Sequence, residues 1–504
     1  MADHTIHMEP FDEHNRQLVA NVHPLDWINP EPSGRYHLVA VGGGTAGLVS
    51  AVGAAGLGAR TALIERNLLG GDCLNVGCVP SKAVISAARA WKGARESKAM
   101  FGGPAVQGHG DFAVAMERMR RLRAGISHHD SVRRFSDLGV DVYLGQARFV
   151  SPNAIEVGGR RLEFRRAVIA TGGRAVAPPI PGLESVDYLT NENIFSLTEL
   201  PPRLGVIGAG PIGCEMAQSF ARFGSRVTIL EMGTQVLGRE DPDAAAIVQE
   251  TLLRDGVTLE LQVRVVRVEG RDGKALVIFE RDGQEHGVEF EQLLVAVGRA
   301  PNVDELGLEA AGVEYDRFGV KVDDRLRTSN RRIYACGDVA SRFKFTHTAD
   351  AQARIVIQNA LFYGRAKASK LVVPWCTYTS PEIAHVGMYE KQARERGLSC
   401  ETITVPLSEV DRAVLDGETE GFLRVIHRKG KILGATLVAA HAGDMIGGLA
   451  LAITAGVSLG QISATIHPYP TQGEIVRKVG DAYRREALTP RVRKLFAAWF
   501  RLLG

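Results

Sequence analysis

Two segments of this chain repeat one pattern, and the repeat confines it to folds that hold two dinucleotide-binding units. In the first, the apolar strand Tyr36–Val41 runs into Gly42-Gly-Gly44-Thr-Ala-Gly47 and an Ala-rich helix, and the next strand ends at Glu65. In the second, Leu204–Ile207 leads into Gly208-Ala-Gly210-Pro-Ile-Gly213, a helix through Phe223, and a strand from Arg226 that ends at Glu231. First glycine and acidic residue stand 23 positions apart in both copies. Gly42 and Gly208 permit a tight turn, Gly44 and Gly210 let the backbone approach a pyrophosphate, and Gly47 and Gly213 let helix and strand pack closely. The helix N-terminus faces the phosphates, and Glu65 or Glu231 accepts from a ribose 2′-hydroxyl.

Immediately after the first unit comes Gly70-Gly-Asp-Cys73-Leu-Asn-Val-Gly-Cys78-Val-Pro-Ser-Lys82. The spacing is short enough to close a disulfide loop. Val79-Pro80 suits the first turn of a helix, whose N-terminal dipole stabilises a thiolate at Cys78, and Lys82 then falls on the same face. A cofactor beside a dithiol must exchange electrons with it, which suits a flavin, so FAD is assigned to the first site and a nicotinamide to the second. Glu231 at the ribose position repels a 2′-phosphate and favours NADH, while Arg226 and Arg239 nearby keep NADPH open.

Composition excludes several other classes. The 504 residues carry a net charge of +3, 45% hydrophobic and 23% charged residues, a soluble globular balance with no electrostatic support for nucleic-acid binding. Six cysteines in so long a chain do not make a secreted disulfide scaffold. The polar N-terminal segment has no apolar signal core, so a cytoplasmic location is expected. Gly447 to Leu459, the longest apolar stretch, is too short to span a bilayer. His4, His7, His14 and His23 match no common ligand spacing, and no metal site is assigned.

With these motifs in place, the chain resembles the FAD-dependent pyridine nucleotide-disulfide oxidoreductases, which include dihydrolipoamide dehydrogenase, glutathione reductase and mercuric reductase. The likeness spans residues 36 to 485 and rests on the Gly70 to Lys82 run, Ala170-Thr171-Gly172, Cys214-Glu215, Gly298-Arg-Ala-Pro-Asn302 and Tyr334-Ala-Cys-Gly-Asp338. Thr377-Tyr-Thr-Ser-Pro-Glu382, Asp411-Arg-Ala413 and Gly421-Phe-Leu-Arg424 look closest to the mercuric reductase branch. The resemblance implies that Cys78 is the flavin-proximal thiolate and Cys73 the sulfur that meets substrate. It also implies that Lys82 pairs with Glu215 beside the flavin, that Asp338 binds the ribityl chain, and that Gly145 to Ala147 lie against the adenosine.

Disulfide-reducing relatives carry His-Pro-Thr-x-x-Glu near the C-terminus, whose His acts across a dimer interface. Here the matching run is Tyr469-Pro-Thr-Gln-Gly-Glu474. A phenol with an ordinary pKa of about 10 is a poor proton shuttle at neutral pH. His467, two residues upstream, either replaces the missing imidazole or is structural. Tyrosine at this position also occurs in mercuric reductases, but those end in a cysteine pair, and this chain has no cysteine after Cys400. The expected acceptor is therefore a small molecule: a thiophilic metal ion reaching Cys73 directly, a quinone or a small disulfide. The rivals are a dihydrolipoamide dehydrogenase-type subunit of a 2-oxo acid dehydrogenase complex and a flavin redox sensor.

The fold class that follows is α/β, with two Rossmann-like dinucleotide-binding domains plus a C-terminal α+β dimerisation domain. The expected order is a flexible arm (1–35), an FAD domain (36–188 and 321–370), an NAD(P)H domain (189–320), an interface domain (371–485) and a basic amphipathic tail (486–504). The resemblance implies a homodimer whose sites combine Cys73 and Cys78 with Tyr469 and Glu474 of the other chain. In the tail, apolar Val492, Leu495, Phe496, Trp499, Leu502 and Leu503 recur at helical spacing beside Arg491, Lys494 and Arg501. Such a helix either lies on an anionic membrane surface or packs on the dimer body.

Overall fold

Continuous apolar runs such as Ala62-Leu-Ile64 are buried on both faces, as central strands of a parallel sheet must be. The computed structural model, which describes residue 6 and residues 8–504, places them in a sheet whose parallel part runs Val140–Leu144, Thr61–Glu65, Tyr36–Val41, Arg160–Ile169 and Ile333–Ala335. The chain then repeats the unit. Thr258–Leu261, Arg226–Glu231, Arg203–Ile207 and Gln292–Val295 form a second parallel sheet, flanked by the antiparallel strands Arg264–Arg271, Lys274–Arg281 and Gln284–Phe290. A third, antiparallel sheet of five strands, from Pro374–Thr377 to Lys431–Ala439, carries the helices Ala442–Ala455 and Glu474–Glu486.

The second domain is an insertion in the first. Chain leaves and returns through a two-stranded ribbon in which Gly173–Ala175 pairs with Arg299–Pro301. The return therefore comes at Arg299 rather than at 321. Val303, Leu306, Leu308 and Val313 already pack in the core beneath Tyr36–Val41. This segment has little regular structure, so periodicity could not assign it to a sheet.

The N-terminal arm also differs from expectation. Glu13–Val22 is a helix capped by Asp12, whose carboxylate accepts from the Asn15 N–H at 2.9 Å. Leu18 and Val22 enter the core with Leu38 and Leu63. Buried Arg123 donates to Asn15 Oδ1 at 2.7 Å and Arg120 to Asp12 Oδ2 at 2.6 Å. The following segment, which has Pro24, Pro30 and Pro32 and so reads as irregular, is pinned by side chains instead. Trp27 Nε1 donates to the Val142 carbonyl, and Asn29 exchanges two bonds with Leu144, closing the exposed edge of the first sheet. His14 lies 3.9 Å from Glu117, and His23 bonds the Asn67 carbonyl. His4 and His7 lie outside the described residues.

Because Leu18 is wholly buried, Leu18→Ala is expected to destabilise the protein by about 2–5 kcal/mol. Denaturant unfolding checks this, and an unchanged midpoint would show that residues 13–22 are not anchored.

Candidate active site

The two glycine turns are built alike, atom for atom in their key contacts. A Cβ on Gly47 would overlap the Gly42 carbonyl, and one on Gly213 would overlap the Gly208 carbonyl. Gly42 and Gly208 have φ of 109° and 101°, a region that favours glycine. Each following helix is capped by a glycine, Gly44 or Gly210, with no side chain satisfying its first amides. Those free N–H groups and the empty space at Gly210 fit a pyrophosphate.

Both acidic residues also hold the turns closed. Glu65 accepts from the N–H groups of Gly43 (2.5 Å) and Asn67 (2.6 Å), and Glu231 from those of Ala209 and Gly233, both at 2.7 Å. Burial pushes the Glu65 carboxyl up, and these two amide bonds oppose that. Beside it opens a cavity lined by Ile64, Glu65, Gly145, Ala147, Thr171 and Asn302. Thr171 and Asn302 exchange side-chain to backbone bonds at 2.7 and 2.9 Å, and Asn302 N–H donates to the Gly172 carbonyl. Gly298, at the base of the return ribbon, accepts from Val176 N–H.

The dithiol loop lies directly against the first turn. Gly70 N–H donates to the Gly43 carbonyl at 2.8 Å, and a Cβ on Gly71 would sit 2.7 Å from the Gly44 Cα. Cys73 occupies the short helix Gly71–Asn75. Gly77 is required by the Asp72 carbonyl, which a Cβ there would meet at 2.7 Å. Cys78 opens the helix Cys78–Phe101, with Pro80 in its first turn, as the spacing predicts. Lys82 Nζ is 2.9 Å from Glu215 Oε2 and lies 4.2 Å over the Tyr378 ring, and Glu215 Oε1 accepts the Tyr378 N–H at 2.9 Å.

The surroundings of the two sulfurs favour negative charge on one of them over the other. The Cys73 thiol donates to Cys78, the Thr346 hydroxyl donates to the same sulfur, and the Lys82 ammonium attracts its charge. Together they outweigh burial and bring Cys78 down to about 6. Holding that bond drives Cys73 upward from its ordinary value. In the reduced pair, negative charge is therefore favoured on Cys78 over Cys73.

Two participants escape sequence reasoning. Thr346, first residue of the helix Thr346–Leu361, lies 3.5 Å from the Cys78 sulfur across 268 residues of sequence. Arg299 pairs with Asp72 beside Cys73, and its Nε lies 3.7 Å from Asp338. Burial raises Asp338, which Arg299 offsets. Arg299 stands in the quoted Gly298 to Asn302 motif, so its motif was visible while its partners were not.

Tyr469, His467 and Glu474 are not joined to the dithiol within one protomer. Tyr469 is 68% exposed and donates to Asp411 Oδ2 at 2.8 Å, a bond that raises its pKa further. His467 is half-buried, its Nδ1 3.1 Å from the Thr465 carbonyl. Glu474, 3.9 Å from Lys478, begins the helix Glu474–Glu486.

A paired set of nucleotide turns, one abutting a dithiol, defines a flavin-linked dithiol oxidoreductase. The chain belongs to the pyridine nucleotide-disulphide oxidoreductases. Residues 36–353 match the model of that family, and residues 373–479 match its dimerisation domain. It is 36% identical to a mercuric reductase of Bacillus cereus over 89% of this chain and 71% of the relative. It is also 36% identical to a dihydrolipoyl dehydrogenase of Bacillus subtilis over 88% and 95%. Among solved structures, the Cu(II) complex of the HOCl-induced flavoprotein disulfide reductase RclA from Escherichia coli matches with a TM-score of 0.78. Identity there is 31%, covering 88% of this chain and 99% of that one. The protein is thus an enzyme that uses FAD with NAD(P)H as electron donor.

The thiolate form of Cys78 is expected to be lost as pH falls through about 6, followed by thiolate absorbance of the reduced protein. Thr346→Val removes one stabilising bond and should move that inflection upward. An unchanged inflection in the variant would remove Thr346 from the site.

Proposed function

We propose that this enzyme passes electrons from NADH through FAD to the Cys73–Cys78 disulfide and on to a small acceptor, with a thiophilic metal ion such as Cu(II) or Hg(II) as the favoured one. The observation that carries the reading is Tyr469, an exposed phenol held by Asp411 where disulfide reductases place an imidazole acid. Reducing a disulfide needs a proton for the departing thiolate, and a phenol raised above its ordinary range does not supply one at neutral pH. Reducing a metal ion bound to thiolates needs none. A relative was solved as its Cu(II) complex, which supports the same class.

The residue roles follow from position. Gly42, Gly44, Gly47, Glu65, Gly145, Ala147, Thr171, Gly172 and Asp338 hold FAD, while Gly208, Gly210, Gly213, Glu231 and Gly298 hold the nicotinamide cofactor. When bound, FAD accepts a hydride and hands an electron pair to sulfur. Lys82, fixed by Glu215, keeps positive charge beside Cys78 so that the sulfur leaves as thiolate. Cys73 then meets the acceptor: one Hg(II) or two Cu(II) ions would take the electron pair of the dithiol, the Cys73 proton would go to solvent, and the Cys73–Cys78 disulfide would reform. The functional unit is a homodimer in the cytoplasm, with Tyr469, His467 and Glu474 of one protomer completing the site of the other. A dihydrolipoyl dehydrogenase role is favoured by comparable identity over nearly all of such a relative, but Tyr469 opposes it.

An acceptor screen on FAD-loaded protein, following NADH oxidation, tests the reading. Turnover with Cu(II) or Hg(II) is expected to exceed that with glutathione disulfide or lipoamide. Tyr469→His is expected to raise disulfide turnover by about 10²-fold, the lower range for a restored acid. Efficient lipoamide reduction by the wild type, lost in His467→Ala, would contradict the proposal. Glu231→Gln should shift the NADH-to-NADPH ratio of kcat/KM about tenfold toward NADPH, since it removes the charge that repels a 2′-phosphate.

A further inference from the structure

Helix Pro490–Leu503 is the one long helix described here with no buried residue. Thr489 caps it by accepting the Val492 N–H, and Pro490 fits its first turn. At 3.6 residues per turn, Leu495, Phe496, Trp499, Phe500, Leu502 and Leu503 share one face, an arc of about 160° with Val492. Most of that face is open: Leu495 is 68% and Leu502 81% exposed. On the opposite face stand Lys494 and Arg501, with Arg491 and Arg493 at its two borders, and the helix has no acidic residue. Arg484 and Arg485 lie in the last turn of the preceding helix, Glu474–Glu486, adding cations near the start of this one. The segment lies past residue 479, where the match to the dimerisation domain ends.

We infer that this helix docks the enzyme on an anionic phospholipid surface, apolar face down, with the basic side chains at headgroup level. It has 14 residues, and among the described residues no helix is long and apolar enough to cross a membrane, so it lies in the interface plane rather than spanning. Charge chooses the occupant. A second copy docked on the apolar face would bring the border cations Arg491 and Arg493 of both helices close with no acid on either helix and would leave Lys494 and Arg501 unpaired, whereas anionic headgroups supply the opposite sign. Trp499, on the middle of the apolar face, is the side chain best suited to the boundary between chain and headgroup. The apolar area is modest, so binding requires both faces.

The test is co-sedimentation of the full-length, FAD-loaded protein with vesicles of phosphatidylcholine alone or mixed with phosphatidylglycerol. Binding is expected only to the anionic vesicles, weakening as salt rises. Leu495→Glu with Trp499→Glu should abolish it, and Arg491→Gln or Lys494→Gln should each weaken it about fivefold. NADH turnover with a soluble acceptor should be unchanged in all of these variants. Equal sedimentation with uncharged vesicles, or of a chain truncated after Thr489, would overturn the inference. So would failure of the intact protein to bind anionic vesicles together with a lower melting temperature or loss of the dimer on truncation. That result would assign the apolar face to the protein body or to a second copy.

Discussion

The site depends on one contact of backbone against backbone, where Gly70 and Gly71 rest on Gly43 and Gly44. No side chain separates the turn that takes a pyrophosphate from the loop that carries the sulfurs. Any Cβ at Gly71 would push the two apart, and the short helix bearing Cys73 would move with it. Distance between a bound nucleotide and the dithiol is thus set by the absence of atoms, which no amount of side-chain repacking can reproduce.

A second constraint holds the sulfurs relative to the other two domains. The helix that opens at Cys78 sends Lys82, Arg89, Lys92 and Arg95 outward along neighbouring faces. Lys82 reaches Glu215, Lys92 reaches Asp255 at 2.9 Å, and Arg95 reaches the Arg222 carbonyl, all in the inserted domain. Arg89 bonds Glu382 Oε1 at 3.0 Å and the Thr379 carbonyl at 2.9 Å in the interface domain. Arg222 and Gln218 of the inserted domain then bond Ser380 and the partly shared Asp255. One helix therefore joins three domains at its polar face. Glu215 and Asp255 are largely buried, so each pair satisfies a charge that would be costly to leave alone. The same Lys82 that anchors the helix lowers Cys78, which couples the architecture to the chemistry.

Much of this was legible because it is local. The glycine spacing, the acid at the end of the second strand and the helix beginning at Cys78 all follow from short motifs whose physical roles are fixed, while the pairing of Lys82 with Glu215, 133 residues apart, came only from the family resemblance. What was not legible is long-range or irregular. Thr346 meets Cys78 only because two helix N-termini converge, and Arg299 meets Asp72 and Asp338 only because the return ribbon crosses beside the dithiol loop. The helix at 13–22 was hidden by the prolines that follow it and by its short apolar stripe of Leu18, Val19 and Val22. Side-chain bonds from Trp27 and Asn29, rather than secondary structure, order the segment that connects it. The amphipathic spacing of residues 490–503 was visible in sequence, while the fact that nothing among the described residues buries its apolar face was not.

The central claim is that electrons from NADH arrive at Cys78 as a thiolate beside the flavin. Anaerobic addition of NADH to the FAD-loaded protein tests it most directly, by the long-wavelength absorbance that a thiolate gives when it lies against oxidised flavin. This band is expected to appear in the wild type, to persist when Cys376, on the strand Pro374–Thr377, is replaced by Ala, and to vanish in Cys78→Ala. A band that survives unchanged in Cys78→Ala, or one that never forms in the wild type, would contradict it.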